Sequence, residues 1–256
     1  VTYLELLRQS YTGCNPRGLL LSRDKALSKK ILRFHRISTP RFAVVPRGRS
    51  IQRMPRLRFP LIVKSVSEDA SLGIAQASVV RDHEALAERI AFVHQRVASD
   101  ALVEEYIEGR ELYVGVMGNQ RLQTFPIWEM VFSGLPDDVA KIATAKVKWD
   151  RKYQRKYGIT TAAAEDLPVA LAAKISRLCK RVYRELHLSG YARIDLRMSA
   201  DGQVFVLEAN ANPNLAYGED FAESAEIGGI SYEGLLQRIL NLGLTYRAPW
   251  KNTYSD

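Results

Sequence analysis

The chain has 256 residues, 46% hydrophobic and 25% charged, enough for one large domain or two modest ones with a core. No apolar run approaches the roughly 18 residues of a membrane span, residues 1–5 lack a basic-then-apolar leader pattern, and Cys14 and Cys179 are too few for a disulfide framework, so a reducing cytoplasm is the expected setting. The formal charge of +9 gathers in residues 41–58 and 141–156; it fits either a polyanionic partner or a basic surface around a phosphate site, and no helix-turn-helix, zinc-finger or RNA-binding sheet motif accompanies it to argue for nucleic acid.

Residues 1–9 carry a short apolar periodicity that predicts a helix, followed by the turn-rich run Tyr11-Thr12-Gly13-Cys14-Asn15-Pro16. Residues 22–34 predict a second helix, with Ser22 placed to cap it, Asp24 in its first turn, and Leu27, Ile31 and Phe34 as an apolar stripe. Lys25 taken alone reads as an exposed helix lysine. Residues 41–45 are a strand candidate, and residues 59–64, FPLIVK, predict a buried strand ending on Lys64. A cation held rigidly at the end of an apolar strand suits a phosphate oxygen, because low-dielectric surroundings strengthen the pair. The Ser- and Gly-bearing run 67–74 contains Glu68 and Asp69, so an anion there would rest on the backbone N–H groups of residues 70–73. Residues 81–98 predict an amphipathic helix; its His83 and His94 lack partners at metal-ligand spacing and are expected to be structural or exposed.

Residues 101–112, ALVEEYIEGREL, predict an apolar strand running into an acidic linker. The plain reading of residues 108–111 is a hairpin turn with solvated carboxylates. Residues 111–117 and 121–125 predict paired strands around Gly118-Asn119. Residues 126–168 are long, polar and basic with few periodic apolar positions, the pattern of a lid loop. Residues 168–186 predict an amphipathic helix facing inward through Leu171, Ile175, Leu178, Val182 and Tyr183, and residues 220–226 and 232–242 predict two further helices.

The chemistry concentrates in residues 191–214, YARIDLRMSADGQVFVLEANANPN. Two strands flank the turn signal Asp201-Gly202. Arg193 and Asp195 are two apart and share one face of the first strand; Glu208 and Asn210 do the same on the second. Pairing the strands can gather all four. Two carboxylates and an amide carbonyl are hard oxygen donors, suited to Mg²⁺ and a phosphate chain. The plainer alternative is a hairpin with a solvated acidic face.

RIDLR, a short hairpin and LEANANPN resemble the metal-binding core of the ATP-grasp superfamily, and within it the D-alanine–D-alanine ligases and their relatives; the resemblance runs over roughly residues 11–244. It implies an α+β fold of two lobes with the nucleotide between them: a junction over residues 1–21, a first lobe over 22–103, and a second lobe over 104–256 with a lid over about 126–167. It implies ATP and two Mg²⁺ ions, with Mn²⁺ as a substitute, and assigns Asp195, Glu208 and Asn210 to the metals and Arg193 to the reacting acyl group. Lys25 and Lys64 would reach the phosphates, and the loop around Ser71 and Gly73 would cover them. Glu104 and Ile107 would meet the adenine and Glu111 the ribose hydroxyls. Lys148, in Val147-Lys148-Trp149, matches a lid lysine that reaches the γ-phosphate, ahead of Lys146.

The activity implied is ATP-dependent ligation of a small carboxylate to an amine-type acceptor through an acyl phosphate. The alternative is a non-catalytic ATP-binding module of a larger assembly. Relatives carry a lobe ahead of the Tyr11 position, where this sequence has almost nothing, so a fragment or a part working with another chain is expected. Relatives also place a small hydroxyl residue at the helix start where the acceptor carboxylate docks, and glycine at the position of Asn214. Here Glu219 and Asp220 stand at that helix start, which predicts a poor D-alanine–D-alanine ligase whose acceptor lacks a free carboxylate or carries extra positive charge. The other reading of Glu219 and Asp220 is that they favour the positive end of their helix.

Overall fold

The computed structural model describes residues 1–49, 57–67, 74–136 and 139–248. The chain opens with α1 (Thr2–Leu6), α2 (Pro16–Arg23) and α3 (Lys25–Phe34). It continues through β1 (Phe42–Val45), β2 (Leu61–Ser65), β3 (Val79–Val80), α4 (His83–Phe92) and β4 (Ala101–Glu105). Then come β5 (Arg110–Met117), β6 (Gln123–Thr124), β7 (Trp128–Phe132), α5 (Ala145–Trp149), α6 (Arg151–Lys156) and β8 (Ile159–Ala163). Last are α7 (Val169–Glu185), β9 (Tyr191–Met198), β10 (Val204–Ala211), α8 (Asp220–Ile227) and α9 (Tyr232–Thr245).

Two antiparallel sheets result. The smaller has the order β1-β4-β2-β3, the larger β10-β9-β5-β7-β8 with β6 paired to β5. Val45, Leu61, Val63 and Val103 of the small sheet pack on Leu86 and Ile90 of α4. The main core lies between the large sheet, through Leu112, Val114, Ile194, Leu196 and Val206, and α7, through Ile175, Cys179 and Val182, with Leu186 at its C-cap. The expected inward face of α7 is the buried one. His94 is buried with its ring nitrogen 3.1 Å from the Val45 carbonyl, and the His83 ring lies edge-on to Phe59. Both have structural surroundings.

The structure corrects two expectations. The helix expected over residues 22–34 is two helices. Asn15 caps α2 by accepting from the Gly18 amide, with Pro16 in its first turn, and Ser22 lies inside α2. Asp24 then takes an extended conformation, ends α2 and caps α3 by accepting from the Leu27 amide. Leu32 of α3 joins the core of the large sheet, so the opening helix of the expected first lobe packs with the second.

Residues 126–168 are also more than a loop. β7 and β8 pair from Trp128↔Ala163 to Phe132↔Ile159, and Trp128, Met130, Val147 and Ile159 pack with Tyr113. Five-residue strands hold too few alternations to stand out in a basic stretch.

Candidate active site

The site is built on the β9–β10 hairpin, and a bulge sets its register. Val206 pairs with Leu196, but the next partners are Glu208↔Asp195 and Asn210↔Arg193, leaving Leu207 as an extra residue. A straight ladder would set Leu207 against Asp195 and Glu208 against Ile194, a core residue. The bulge re-aims the strand so that Arg193, Asp195, Glu208 and Asn210 lie on one face.

Arg193 donates to both oxygens of Asp195, at 2.8 and 3.0 Å. Its guanidinium lies over the Tyr113 ring, 4.7 Å from the centroid, and its Nη1 is 3.7 Å from Asp220 Oδ2. Burial pushes the Asp195 carboxyl up, and Arg193 pulls against that rise. Burial also opposes charge on Glu208, but Lys25, Lys148, Lys64 and Arg193 overcome it and hold the carboxyl at about 2. Lys25 Nζ lies 3.5 Å from Glu208 Oε2.

Lys64, Glu104, Ile107, Glu111, Lys148 and Glu208 line one cleft between the sheets. Of the expected nucleotide residues, Lys64, Glu104, Ile107 and Glu111 line this cleft; Lys25 is not in its wall and reaches the site through Glu208, and Ser71 and Gly73 lie outside the described residues. Glu104 has a different setting from the one expected of an adenine contact. It is wholly buried, with Oε1 2.8 Å from Lys29 Nζ and Oε2 2.9 Å from Lys64 Nζ, so both oxygens are committed to lysines. Ile107 and the backbone beside it remain along the cleft. Glu111 accepts from the Tyr113 hydroxyl at 2.9 Å and lies 3.4 Å from Arg197 Nη2. Lys148 lines the cleft and also the adjoining hollow, whereas Lys146 is exposed.

Two residues here escaped the sequence reading. Arg197 donates to the carbonyls of Gly109 and Lys141, at 3.0 and 2.6 Å, and so ties the linker and the segment before α5 to the hairpin. The same two-residue spacing that relates Arg193 to Asp195 extends to Arg197 and was the available signal. Gly109 is required beside it: at φ +140 a Cβ would meet the Met198 carbonyl at 2.0 Å. Lys29 lies one helical turn from Lys25, and that spacing was its signal.

Among the described residues, no group of three or more His, Cys, Asp or Glu side chains could hold a metal. The candidate donors are Asp195, Glu208 and the amide of Asn210, and Asn210 Nδ2 is buried without a hydrogen-bond partner. Two carboxylates and an amide leave coordination positions for phosphate oxygens and water, which fits Mg²⁺ better than a closed protein cage would. Asp195 retains lone pairs beyond the two that Arg193 occupies.

The adjoining hollow is lined by Arg193, Asn210, Asn212, Asn214, Glu219 and Asp220, among others. Glu219 occupies the N-cap of α8, yet its side chain makes no capping hydrogen bond. Its carboxylate faces the hollow without serving the helix backbone.

Residues 31–241 match the family model described as D-ala D-ala ligase C-terminus. The chain is 34% identical over 239 residues to an uncharacterised protein, y4sG, of Sinorhizobium fredii, across 93% of this chain and 68% of that one. It is 32% identical over 244 residues to a D-alanine–D-alanine ligase of Bordetella petrii, across 93% of this chain and 69% of the other. The D-alanine–D-alanine ligase of Bacillus anthracis complexed with ATP has a TM-score of 0.76 and 26% identity, covering 95% of this chain and 73% of its own. That of Coxiella burnetii has the same TM-score of 0.76 at 22% identity and speaks for the fold. The two sheets with the cleft between them are the ATP-grasp fold, and the chain belongs to the D-alanine–D-alanine ligase C-terminal family, a family of ATP-dependent ligases.

Proposed function

We propose that the protein is an ATP-dependent carboxylate–amine ligase that works through an acyl phosphate and takes an acceptor other than D-alanine. The observation that carries the reading is the meeting of Arg193, Asp195, Glu208 and Asn210 on one sheet face, with Lys25, Lys64 and Lys148 charging the same space. Plain nucleotide binding does not need all four.

In this reading Lys25 and Lys64 meet the phosphates, the backbone beside Ile107 meets the adenine edge, and Glu111 accepts from the ribose hydroxyls. Asp195, Glu208 and Asn210 would hold two Mg²⁺ ions, for which Mn²⁺ could substitute. When bound, the metal would supply charge neutralisation at the transferring phosphoryl group. Lys148 approaches the γ-phosphate as the α5–α6 helices between β7 and β8 close. A carboxylate oxygen bonds to the γ-phosphorus and ADP leaves. The amine nitrogen then bonds to the acyl carbon, phosphate leaves, and the amine loses its proton. Arg193 stabilises the oxyanion between those events. The chain's main contribution is holding the reactants in line.

Glu219 and Asp220 support a cationic or carboxylate-free acceptor, because a carboxylate brought against them would be repelled. Incubation with ATP, Mg²⁺ and a library of amino acids and amines, followed by phosphate release and product mass, tests this. The reading expects little D-alanyl-D-alanine and more product with basic or carboxylate-blocked acceptors. Efficient D-alanyl-D-alanine synthesis would overturn it.

A further inference from the structure

Lys29 has no part in the roles assigned above, yet it is among the most enclosed side chains of the molecule, with 1% of its surface exposed. An ammonium group in such a place is unfavourable unless it is fully paired. Its Nζ is 2.8 Å from Glu104 Oε1 and donates to the Leu207 carbonyl at 2.5 Å. The two acceptors lie on different sheets: Glu104 on β4 and Leu207 on β10. Glu104 in turn holds Lys64 at 2.9 Å. A continuous polar chain therefore runs from Leu207 through Lys29 and Glu104 to Lys64.

Leu207 is the residue that the bulge removes from the β9–β10 register. A bulge leaves backbone groups outside the ladder, and the part-buried Leu207 carbonyl is met by another donor. Lys29 is that donor. Its geometry joins the element that turns Glu208 toward Asp195 to the strand that carries Lys64.

We infer that Lys29 is a positioning residue that clamps the Leu207 bulge and thereby sets Glu208 and Lys64 at working distance across the cleft. The inference rests on the proposed nucleotide and Mg²⁺ site, but its first consequence, the state of the bulge, does not.

The test uses Lys29→Met in the whole chain, which keeps length and removes the charge. Amide hydrogen exchange is expected to quicken at residues 206–209 more than across α7. Calorimetric titration of ATP at varied Mg²⁺ is expected to show a Mg²⁺ requirement raised roughly 10- to 100-fold, the scale for losing a partner that orients a metal ligand. Metal-free nucleotide binding should move less. Deleting Leu207 in the same variant gives a straight ladder with Glu208 still opposite Asp195 and no carbonyl to clamp, so Mg²⁺ affinity should recover. Should Lys29→Met fail to fold, Lys29→Arg keeps the charge for Glu104 but displaces the donor from Leu207, and the same loss is expected without a change in melting.

Unchanged exchange at the bulge in a folded Lys29 variant would overturn the clamp. Quickened exchange with unchanged Mg²⁺ affinity would overturn its link to Glu208. A wild-type chain whose nucleotide binding ignores Mg²⁺ would count against the ligase reading instead, and leave the exchange result to decide the clamp.

Discussion

Glu208 stands opposite Asp195 in the β9–β10 ladder because Leu207 is spare on its strand. A buried carboxylate and a half-buried one then face each other, and they divide their load unequally: Arg193 binds both oxygens of Asp195, while lysines from α3, β2 and α5 hold Glu208 ionised. A divalent cation held by this pair would relieve the repulsion between them, which is the physical case for the proposed Mg²⁺.

Glu208→Gln should therefore lower Mg²⁺-dependent turnover by roughly 100-fold, about 2.7 kcal/mol at the barrier, with a much smaller effect on folding. Phosphate-release kinetics at varied Mg²⁺ and thermal melts check both halves. Unchanged turnover with unchanged Mg²⁺ dependence would contradict the assignment.

Lys64 and Lys148 should separate in kinetics. Lys64 sits on β2, fixed by Glu104, whereas Lys148 lies on the short helix α5 within the segment proposed to close. Lys64→Ala should weaken ATP binding, and Lys148→Ala should mainly lower kcat. Equal ATP affinity for wild type and Lys64→Ala in calorimetry would refute the first role.

Glu104→Gln tests the buried triad through pH. Burial pushes the Glu104 carboxyl up, but Lys29 and Lys64 overcome this and hold it below its ordinary 4.5. A depressed carboxyl contributes stability that is in place above its unfolded value and is lost as pH falls through the folded one. At neutral pH the variant leaves two enclosed lysines without their counter-charge, an expected loss of about 3–5 kcal/mol. The gap to wild type should narrow as pH drops below 4.5. Denaturant melts at neutral and acid pH measure it, and a constant gap would argue against an ionised Glu104.

The outline of this site was readable in the sequence where chemistry coincided with periodicity. The RIDLR alternation, the Asp201-Gly202 turn and the apolar run into Lys64 each state a strand and what it delivers. The bulge was not readable, because VFVLEAN pairs equally well in either register until the far face of the sheet is known. Lys29 was hidden for a similar reason. A helix lysine looks solvent-facing until tertiary packing supplies a carboxylate and a stray carbonyl. The Trp128–Phe132 and Ile159–Ala163 strands were obscured by the charge around them, and their pairing depends on contacts made across the intervening helices.

Asp220 is expected to set acceptor choice. Its Oδ2 lies 3.7 Å from Arg193 Nη1, on the wall of the hollow beside the proposed acyl position. Asp220→Ser removes a negative charge from that wall and should raise kcat/KM for D-alanine as acceptor by about tenfold, equivalent to 1.4 kcal/mol. Competition between D-alanine and a basic acceptor, read by product ratio, checks it. An unchanged ratio would place selectivity elsewhere.

The central claim is that a substrate carboxylate is phosphorylated by ATP before the acceptor attacks. Heavy-oxygen labelling of the carboxyl groups in a pooled set of D- and L-amino acids, with ATP, Mg²⁺ and mixed amine acceptors, tests it most directly. The account predicts that the inorganic phosphate released carries one heavy oxygen taken from the carboxylate, in amounts matching the ligated product. Phosphate released without the label, matching plain hydrolysis of ATP by water, would contradict it.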